Sequence, residues 1–328
     1  MATPPPSIIL AACMRNEGLF LMEWLAHHAA LGFDRIVVVT NDCTDGSDLL
    51  LDRLNACGIV THIRQSVSPG ANPQETGMDH VLALCRTEGH THVLHLDSDE
   101  FLDLDKPRLG IRRILEIAPD ADIIPFAWRF FGDGGKFAWT PGDLLIEQNP
   151  RAERKPDPAT AKCKCLFRVA SFARAGDHAP MDPLVAEPVV RTPDGRPLNP
   201  RSLIRQSTAR WRPYTRSASG RGARLSHYAV RSLDVFLMKN DRGKGTGAPV
   251  SAKYHAGRKW YETCNRNGPT DTRMPRYLAG IRRILALWRA DPETARREQA
   301  CFDWFLARRE ALLTPERLEA WVRTKDSP

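Results

Sequence analysis

Apolar runs and helical-period stripes alternate along the first hundred residues. After Ser7, residues 8–13 form an unbroken apolar stretch, and 7–13 reads as a strand buried on both faces. After the polar break Arg15-Asn16-Glu17, residues 18–31 place Leu21, Trp24, Leu25 and Leu31 at helical spacing, and Gly32 stands where a helix terminator belongs. Residues 35–40 are β-branched at most positions and predict a second strand. A polar turn over 41–47 leads to a helix at 48–57 that stops at Gly58. A third strand is expected at 59–63, a helix around 76–87, and a fourth strand in the apolar run that begins at His92. Strands alternating with helices of this length predict a parallel sheet with right-handed crossovers. Ligands of such sheets collect beyond the carboxyl ends of the strands. Three polar loops meet there: 15–17, 41–47 and 97–100.

The later pattern is mixed. Residues 108–117 read as a helix, and 123–131 as a strand with an aromatic face that turns at Gly132-Asp133-Gly134-Gly135. Residues 162–168 alternate like a half-exposed strand. The Pro-, Arg- and Gly-rich stretch 180–224 reads as a long loop or insertion, in the manner of a mobile lid. Next come a short strand at 225–228, a helix at 232–239 and a glycine-rich flexible loop at 240–249. From about residue 273 the chain is helical and amphipathic, a C-terminal helical tail.

Composition narrows the class. The 328 residues are enough for one large or two modest domains. No apolar stretch approaches a membrane span, and the first residues lack the basic-then-apolar pattern of a secretion signal, so cytoplasmic residence is the expectation, with a peripheral place at the membrane surface also allowed. The eight cysteines include no Cys-x-x-Cys pair and read as free thiols; Cys163-x-Cys165 is too tight for a zinc pair and belongs to a strand. Charge is unevenly placed. Residues 1–150 carry 11 basic against 21 acidic side chains, and residues 151–328 carry 36 against 18. An acidic half and a basic half suit a metal and a phosphorylated ligand held between them, and on charge alone nucleic acid stays open.

The densest chemistry is Asp97-Ser98-Asp99-Glu100 at the end of the fourth strand. Side chains two apart on an extended chain point the same way, so Asp97 and Asp99 can aim oxygens at one hard divalent ion. The rival reading is a solvated, capped turn, and Glu100 either ligates through water or caps the next segment. No Gly-x-Gly-x-x-Gly and no Walker lysine is present, so phosphates would need a metal to neutralise them.

Arg15-Asn16-Glu17, then Glu23-Trp24-Leu25-Ala26-His27-His28 with Leu31-Gly32-Phe33, then Asn41-Asp42-Cys43-Thr44-Asp45-Gly46, then Leu96-Asp97-Ser98-Asp99-Glu100-Phe101 form an ordered set over the first third of the chain. This set resembles the family-2-like glycosyltransferases, and more narrowly the branch related to family 92. The resemblance implies a GT-A fold: a Rossmann-like, mostly parallel α/β sheet flanked by helices, with a mixed second half. It implies a glycosyltransferase domain over 1–265, with a nucleotide-sugar half at about 1–105, an acceptor half at about 106–265, and a helical extension at 266–328. It further implies a nucleotide-sugar donor (a UDP-sugar), a glycan, lipid-linked or other hydroxyl acceptor, a manganese or magnesium ion, and inversion at the anomeric carbon. Members often carry Asp where Thr40 stands, which leaves the base open.

The same resemblance implies the site residues. Asp97 and Asp99 would hold the metal. His227-Tyr228 with Ser232, Phe236, Lys239, Arg242 and Gly243 resembles a late basic block of the branch, which makes His227 the third ligand and sets Lys239 and Arg242 on the diphosphate. His178 resembles another histidine position, lining the donor pocket or replacing His227. Asn16, Glu17, Asn41, Asp42 and Asp45 would meet the donor, although Asp45 can instead cap the next helix. His27 and His28 read as packing residues. Asp133 and Asp177 are candidates for the general base by location alone. Two other classes stay in view: a nucleotidyltransferase on a related sheet, and a basic nucleic-acid-binding module using Trp211, Tyr214, Tyr228, Tyr254 and Trp260.

Overall fold

The computed structural model describes residues 6–142, 144–157, 162–199, 220–242 and 253–322, and the side chain of Arg242 lies outside that description. The expected strands form as β1 (Ile8–Met14), β2 (Arg35–Thr40), β3 (Thr61–Arg64) and β4 (His92–His95), joined by α1 (Gly18–Ala29), α2 (Ser47–Ala56) and α3 (Pro73–Glu88). They pair in parallel in the spatial order β3-β2-β1-β4. On one face of β1, Ile8, Leu10 and Ala12 join a core with Trp24, Leu25, Leu50 and Leu54 from α1 and α2. On the other, Ile9 and Ala11 share a core with Met78, Val81, Leu82 and Cys85 of α3. Burial on both sides is why the strand reads as one apolar run rather than an alternation.

Beyond β4 the direction changes. The chain continues through β5 (Glu100–Leu104), α4 (Arg112–Ile117), β6 (Ile123–Phe130), α5 (Leu145–Gln148) and β7 (Cys163–Arg168). β7 runs antiparallel to both β4 and β6 and so lies inside the sheet. The half-exposed strand expected at 162–168 is thereby corrected: Cys163, Lys164, Cys165, Leu166 and Phe167 are all buried. The stretch expected to be a loop over 180–224 holds β9 (Pro180–Pro183), a hairpin partner of β8 (Phe172–Ala175), then β10 (Val190–Arg191) and β11 (Pro197–Leu198). Residues 200–219 of that stretch, with Trp211 and Tyr214, lie outside the described residues. β12 (Ala223–His227) then slots between β5, antiparallel, and the last residues of β6, parallel.

The sequence pattern did not predict β5, and side chains of α1 help to hold it. One edge of β5 pairs with β12; the other is paired by side chains. Trp24 Nε1 donates to the Glu100 carbonyl at 2.9 Å. The Leu102 carbonyl faces His27 Nε2 at 2.9 Å, and the Leu102 amide donates to His28 Nε2 at 3.3 Å. Tyr277 Oη accepts from the Leu104 amide at 2.8 Å, and the Leu104 carbonyl accepts from Arg276. An exposed strand edge is a row of unmet hydrogen bonds, and these five contacts meet them. Glu23 turns the other way, accepting from the Leu145 and Ile146 amides at the start of α5. The expectation that His27 and His28 pack rather than react agrees with their complete burial.

The remaining helices are α6 (Leu233–Arg242), α7 (Lys259–Cys264), α8 (Leu278–Arg289), α9 (Pro292–Leu312) and α10 (Pro315–Val322). Ile281, Leu285, Cys301 and Phe305 belong to the same core as Trp24 and Leu50. Gly18 permits this contact, since a Cβ there would stand 2.6 Å from Cys301 Sγ. Arg53 of α2 grips Asp291 with two hydrogen bonds of 2.8 and 2.6 Å, and Asp291 caps α9 through the Thr294 amide. Of the loop expected at 240–249, residues 243–249 lie outside the described residues. Among the described residues, no helix is long and apolar enough to cross a membrane.

Candidate active site

The loops after β1, β2 and β4 do converge at the carboxyl ends of their strands. Asn16 adopts φ 53° and Asp42 φ 49°, a left-handed backbone that Asn and Asp tolerate better than most residues. The Asn16 side chain accepts from the Thr44 amide at 2.8 Å and donates to Thr44 Oγ1 at 3.0 Å, which ties the first loop to the second. Asp45 is buried and accepts from the Gly18 amide at the start of α1 and from the Ser47 amide, each at 2.9 Å. Asp45 thus ties the start of α1 to the start of α2. Asn41 and Asp42 stay on the rim, with Asp42 exposed.

Asp97 and Asp99 flank the turn from β4 into β5, closed by the Glu100 amide donating to the Asp97 carbonyl at 3.1 Å. In return, Glu100 Oε2 accepts from the Asp97 amide at 2.9 Å. Glu100 has no exposure, and burial, reinforced by the nearby Asp97, pushes its carboxyl well above the ordinary range. It is a capping acid that closes the turn.

The two aspartates have different partners. Asp97 Oδ1 accepts from Gln74 Nε2 at 3.2 Å, and its Oδ2 lies 3.2 Å from the ammonium of Lys164. Burial pushes Asp97 up to about 6; Lys164 opposes this, while Asp177 and Asp99 add to it. Asp99 Oδ2 accepts from Lys239 Nζ at 2.9 Å, and its Oδ1 lies 3.4 Å from His227 Nε2. Burial works against the Asp99 charge, yet Lys239 and His227 outweigh it and hold the carboxyl well below the usual range.

The register of β12 sets His227 opposite Glu100 on one side and Phe130 on the other, and the Tyr228 amide donates to the Asp99 carbonyl at 2.8 Å. The imidazole lies against Trp128 and Phe130, with ring centroids 4.3 and 5.3 Å away. His178 goes elsewhere. Its Nδ1 faces the Cys163 carbonyl at 3.0 Å, its Nε2 lies 3.3 Å from Asp177, and it touches the Trp128 ring that also touches His227. Burial lowers its pKa to about 4.

A divalent ion was expected on Asp97, Asp99 and a histidine. Among the described residues, no group of three or more His, Cys, Asp or Glu stands together in a way that could hold a metal ion. Asp99 and His227, a carboxylate and an imidazole of the kinds that bind manganese, stand 3.4 Å apart, and Lys239 holds the other oxygen of Asp99. Asp97 and His178 are taken up by Lys164 and Asp177.

Neither base candidate is free to act. Asp133 is buried and accepts from the Gly135 amide, Tyr261 Oη, Asn265 Nδ2 and Asn267 Nδ2, so it organises its own turn. Asp177 is held ionised far below its ordinary range, since Lys164 and His178 overcome the burial that would raise it.

Two cations were overlooked in the sequence. Lys164 is one, and its signal was a lysine inside an apolar strand that two neighbours enclose. The other is Arg231, which has φ 67°, lies 3.2 Å from Glu17 and 3.4 Å from Ser98 Oγ, and sits 4.4 Å over the Phe20 ring. It stands inside the late basic block, between His227 and Lys239. Asn16, Glu17, Arg231 and Lys239 line a cleft together with Trp304 and Phe305 of α9, so the C-terminal helices reach the site. Tyr228 has no exposure and Tyr254 is buried, which removes both from any stacking surface.

No family model matches the chain. Among curated proteins it is similar to a glycosyltransferase family 92 protein of Oryza sativa subsp. japonica, 26% identical over 132 residues, which is 40% of this chain and 22% of that protein. A glycosyltransferase family 92 protein of Ricinus communis is 29% identical over 104 residues, 30% of this chain and 18% of its own. Each of these matches is to a part of a family 92 glycosyltransferase. The chain spans about a fifth of the length of the curated relatives it matches. Among solved structures it is similar to S. aureus TarS 1-349, with 13% identity, 96% of this chain and 83% of that one covered, and a TM-score of 0.37. It is also similar to the mannosyltransferase PcManGT from Pyrobaculum calidifontis, in complex with GDP-Man and Mn2+, at 16% identity, 38% and 36% coverage and a TM-score of 0.31.

Proposed function

We propose that the chain is a glycosyltransferase that moves a sugar from a nucleoside diphosphate to an acceptor hydroxyl. One observation carries this reading beyond kinship: Asp99, at the carboxyl end of β4, meets both Lys239 and His227 beside the cleft that Arg231 enters. The arrangement gathers two cations and a metal-type donor pair at the place where an open α/β sheet binds its ligands.

In this mechanism Lys239 and Arg231 face the diphosphate and balance the negative charge that grows on it as the glycosidic bond to the donor breaks. Asp99 and His227 would hold a manganese or magnesium ion, which when bound supplies Lewis-acid stabilisation to the same leaving group. Asn41, Asp42 and Asp97 border the nucleoside side of the crevice. Trp304 and Phe305 give the cleft apolar lining that disfavours water there. An acceptor hydroxyl attacks the anomeric carbon with inversion, through an oxocarbenium-like transition state.

The test is a thermal-shift panel of nucleoside diphosphates and nucleotide-sugars, each with manganese and with a chelator. One nucleoside diphosphate should raise the melting temperature, because a ligand at about 100 times its Kd adds about 2.7 kcal/mol to the folded state. If no nucleotide shifts it under either condition, the reading fails. Product anomer analysis by NMR with the donor so identified would then check inversion.

A further inference from the structure

Three lysines of the second half are joined to the site by a circuit of aromatic side chains. Lys239, 2.9 Å from Asp99, lies 6.0 Å from the centre of the Tyr254 ring, and Lys253 lies 4.9 Å from the same ring. Lys253 also faces the Trp260 indole at 5.1 Å, and Lys162 faces that indole at 5.9 Å. Lys162 lies 5.4 Å from the Trp128 ring, which meets the His227 ring at 4.3 Å, and His227 leads back to Asp99. Phe130 crosses the circuit, with ring contacts of 5.3 Å to His227 and 6.4 Å to Trp260. The circuit is closed, and Asp99 is the one acid among these side chains. Burial raises the pKa of the Cys264 thiol, and the charges of Lys239, Lys253 and Lys162 all reach it and oppose the shift. The three ammonium groups therefore share one neighbourhood.

Like charges gathered in this way repel one another. An aromatic face holds a cation through its quadrupole without cancelling the charge, as a carboxylate would, so the charge stays available to an anion. Lys162, Lys253 and Trp260 are half-buried, in contrast to the fully enclosed Lys164. The whole circuit except Asp99 follows β5 in the chain, whereas Asn41, Asp42 and Asp97, which border the nucleoside side, precede it. We propose that Lys162 and Lys253 form an anion site for the acceptor, which carries a phosphate or carboxylate near the hydroxyl that is glycosylated. The two ammonium groups hold that charge beside Trp260, and Asp99 and His227 mark the side where transfer takes place. The word acceptor rests on the transferase reading; the anion site rests on the placement of the lysines alone.

The experiment is a calorimetric titration of the full chain, without nucleotide, using maltohexaose, a hyaluronate hexasaccharide and a glycerol phosphate hexamer as probes. At least one anionic probe should bind at least tenfold more tightly than maltohexaose; hyaluronate would identify a carboxylate and the glycerol phosphate hexamer a phosphate. The double variant Lys162→Gln with Lys253→Gln, its folding confirmed by circular dichroism, should lose at least tenfold in affinity for that probe. Lys162→Arg with Lys253→Arg should keep it within about threefold. The rise in melting temperature caused by nucleotide should be the same in the glutamine variant as in the wild type. Equal binding of charged and neutral probes would overturn the proposal, as would a folded glutamine variant that binds the anionic probe as the wild type does. Loss of the nucleotide response in that variant would overturn it by assigning the lysines to the donor diphosphate. A uridylate hexamer that binds more tightly than every other probe would overturn it in favour of nucleic acid. Selectivity for an anionic glycan in a protein that answers to no nucleotide would defeat the glycosyltransferase reading and leave the anion site standing.

Discussion

At the residue scale, two carboxylates of one short motif end with opposite tendencies. Asp99 is held ionised by Lys239 and His227, whereas burial pushes Asp97 up to about 6. Asp99→Asn is expected to lower transfer at least a hundredfold, measured as kcat/KM with the donor that the thermal panel identifies. It also leaves the buried Lys239 ammonium without its carboxylate, so a stability loss of about 3 to 5 kcal/mol should accompany it in urea unfolding. Asp133→Asn has the reverse signature. Its carboxylate serves four donors, one in its own turn and three between residues 261 and 267, so the variant should lose about 1 to 3 kcal/mol of stability while transfer per folded molecule changes less than about threefold. The importance of Asp97 and Asp99 was legible in sequence because three acidic groups at a strand end have few packing uses. The division of labour between them was not, because it is set by Lys164, 67 residues downstream in the chain, and Lys239, 140 residues from Asp99.

At the element scale, β5 depends on α1. Trp24→Phe keeps the ring but strands the Glu100 carbonyl, and it should cost about 1 to 3 kcal/mol in urea unfolding. His27 gives the same junction a pH dependence. Burial lowers its pKa from the ordinary 6.5 to about 4, although its contact with the Leu102 carbonyl opposes the shift. Folding therefore favours the neutral ring. Its contribution is complete above pH 6.5 and is lost as pH falls through 4, a change of about 3 kcal/mol. Unfolding curves between pH 7 and pH 4 should show at least this loss, and His27→Gln should flatten the profile there. A profile as steep in the variant as in the wild type would refute the assignment. The first four helices and first four strands were legible because each carries its own period or apolar run. β5 was not, since its backbone partners are side chains of α1 and of Tyr277 and Arg276, which no local pattern reveals.

At the scale of the whole molecule, the C-terminal helices close both the core and the site. Asp103 on β5 is fully buried and neutralised by Arg224, Arg273 and Arg276, with Tyr277 Oη 3.1 Å away. Removing residues 266–328 would leave Arg224 as its one partner in that set, and uncover the face of α1 and α2 beneath Ile281, Leu285, Cys301 and Phe305. Breaking two buried ion pairs of this kind costs about 3 to 5 kcal/mol against a total stability of about 5 to 15. The truncated chain should lose cooperative unfolding and near-ultraviolet circular dichroism. The sequence by itself determined the alternation of strand and helix, the loops that gather at the strand ends and the acidic motif that marks the site. Local periodicity and composition encode these directly. Only the tertiary structure decided which ammonium meets which aspartate, which histidine faces Asp99, and that the helical tail walls the cleft. Those depend on the direction of β7, the insertion of β12 and the packing of α9. In each case residues far apart in the chain are brought within hydrogen-bonding or packing distance.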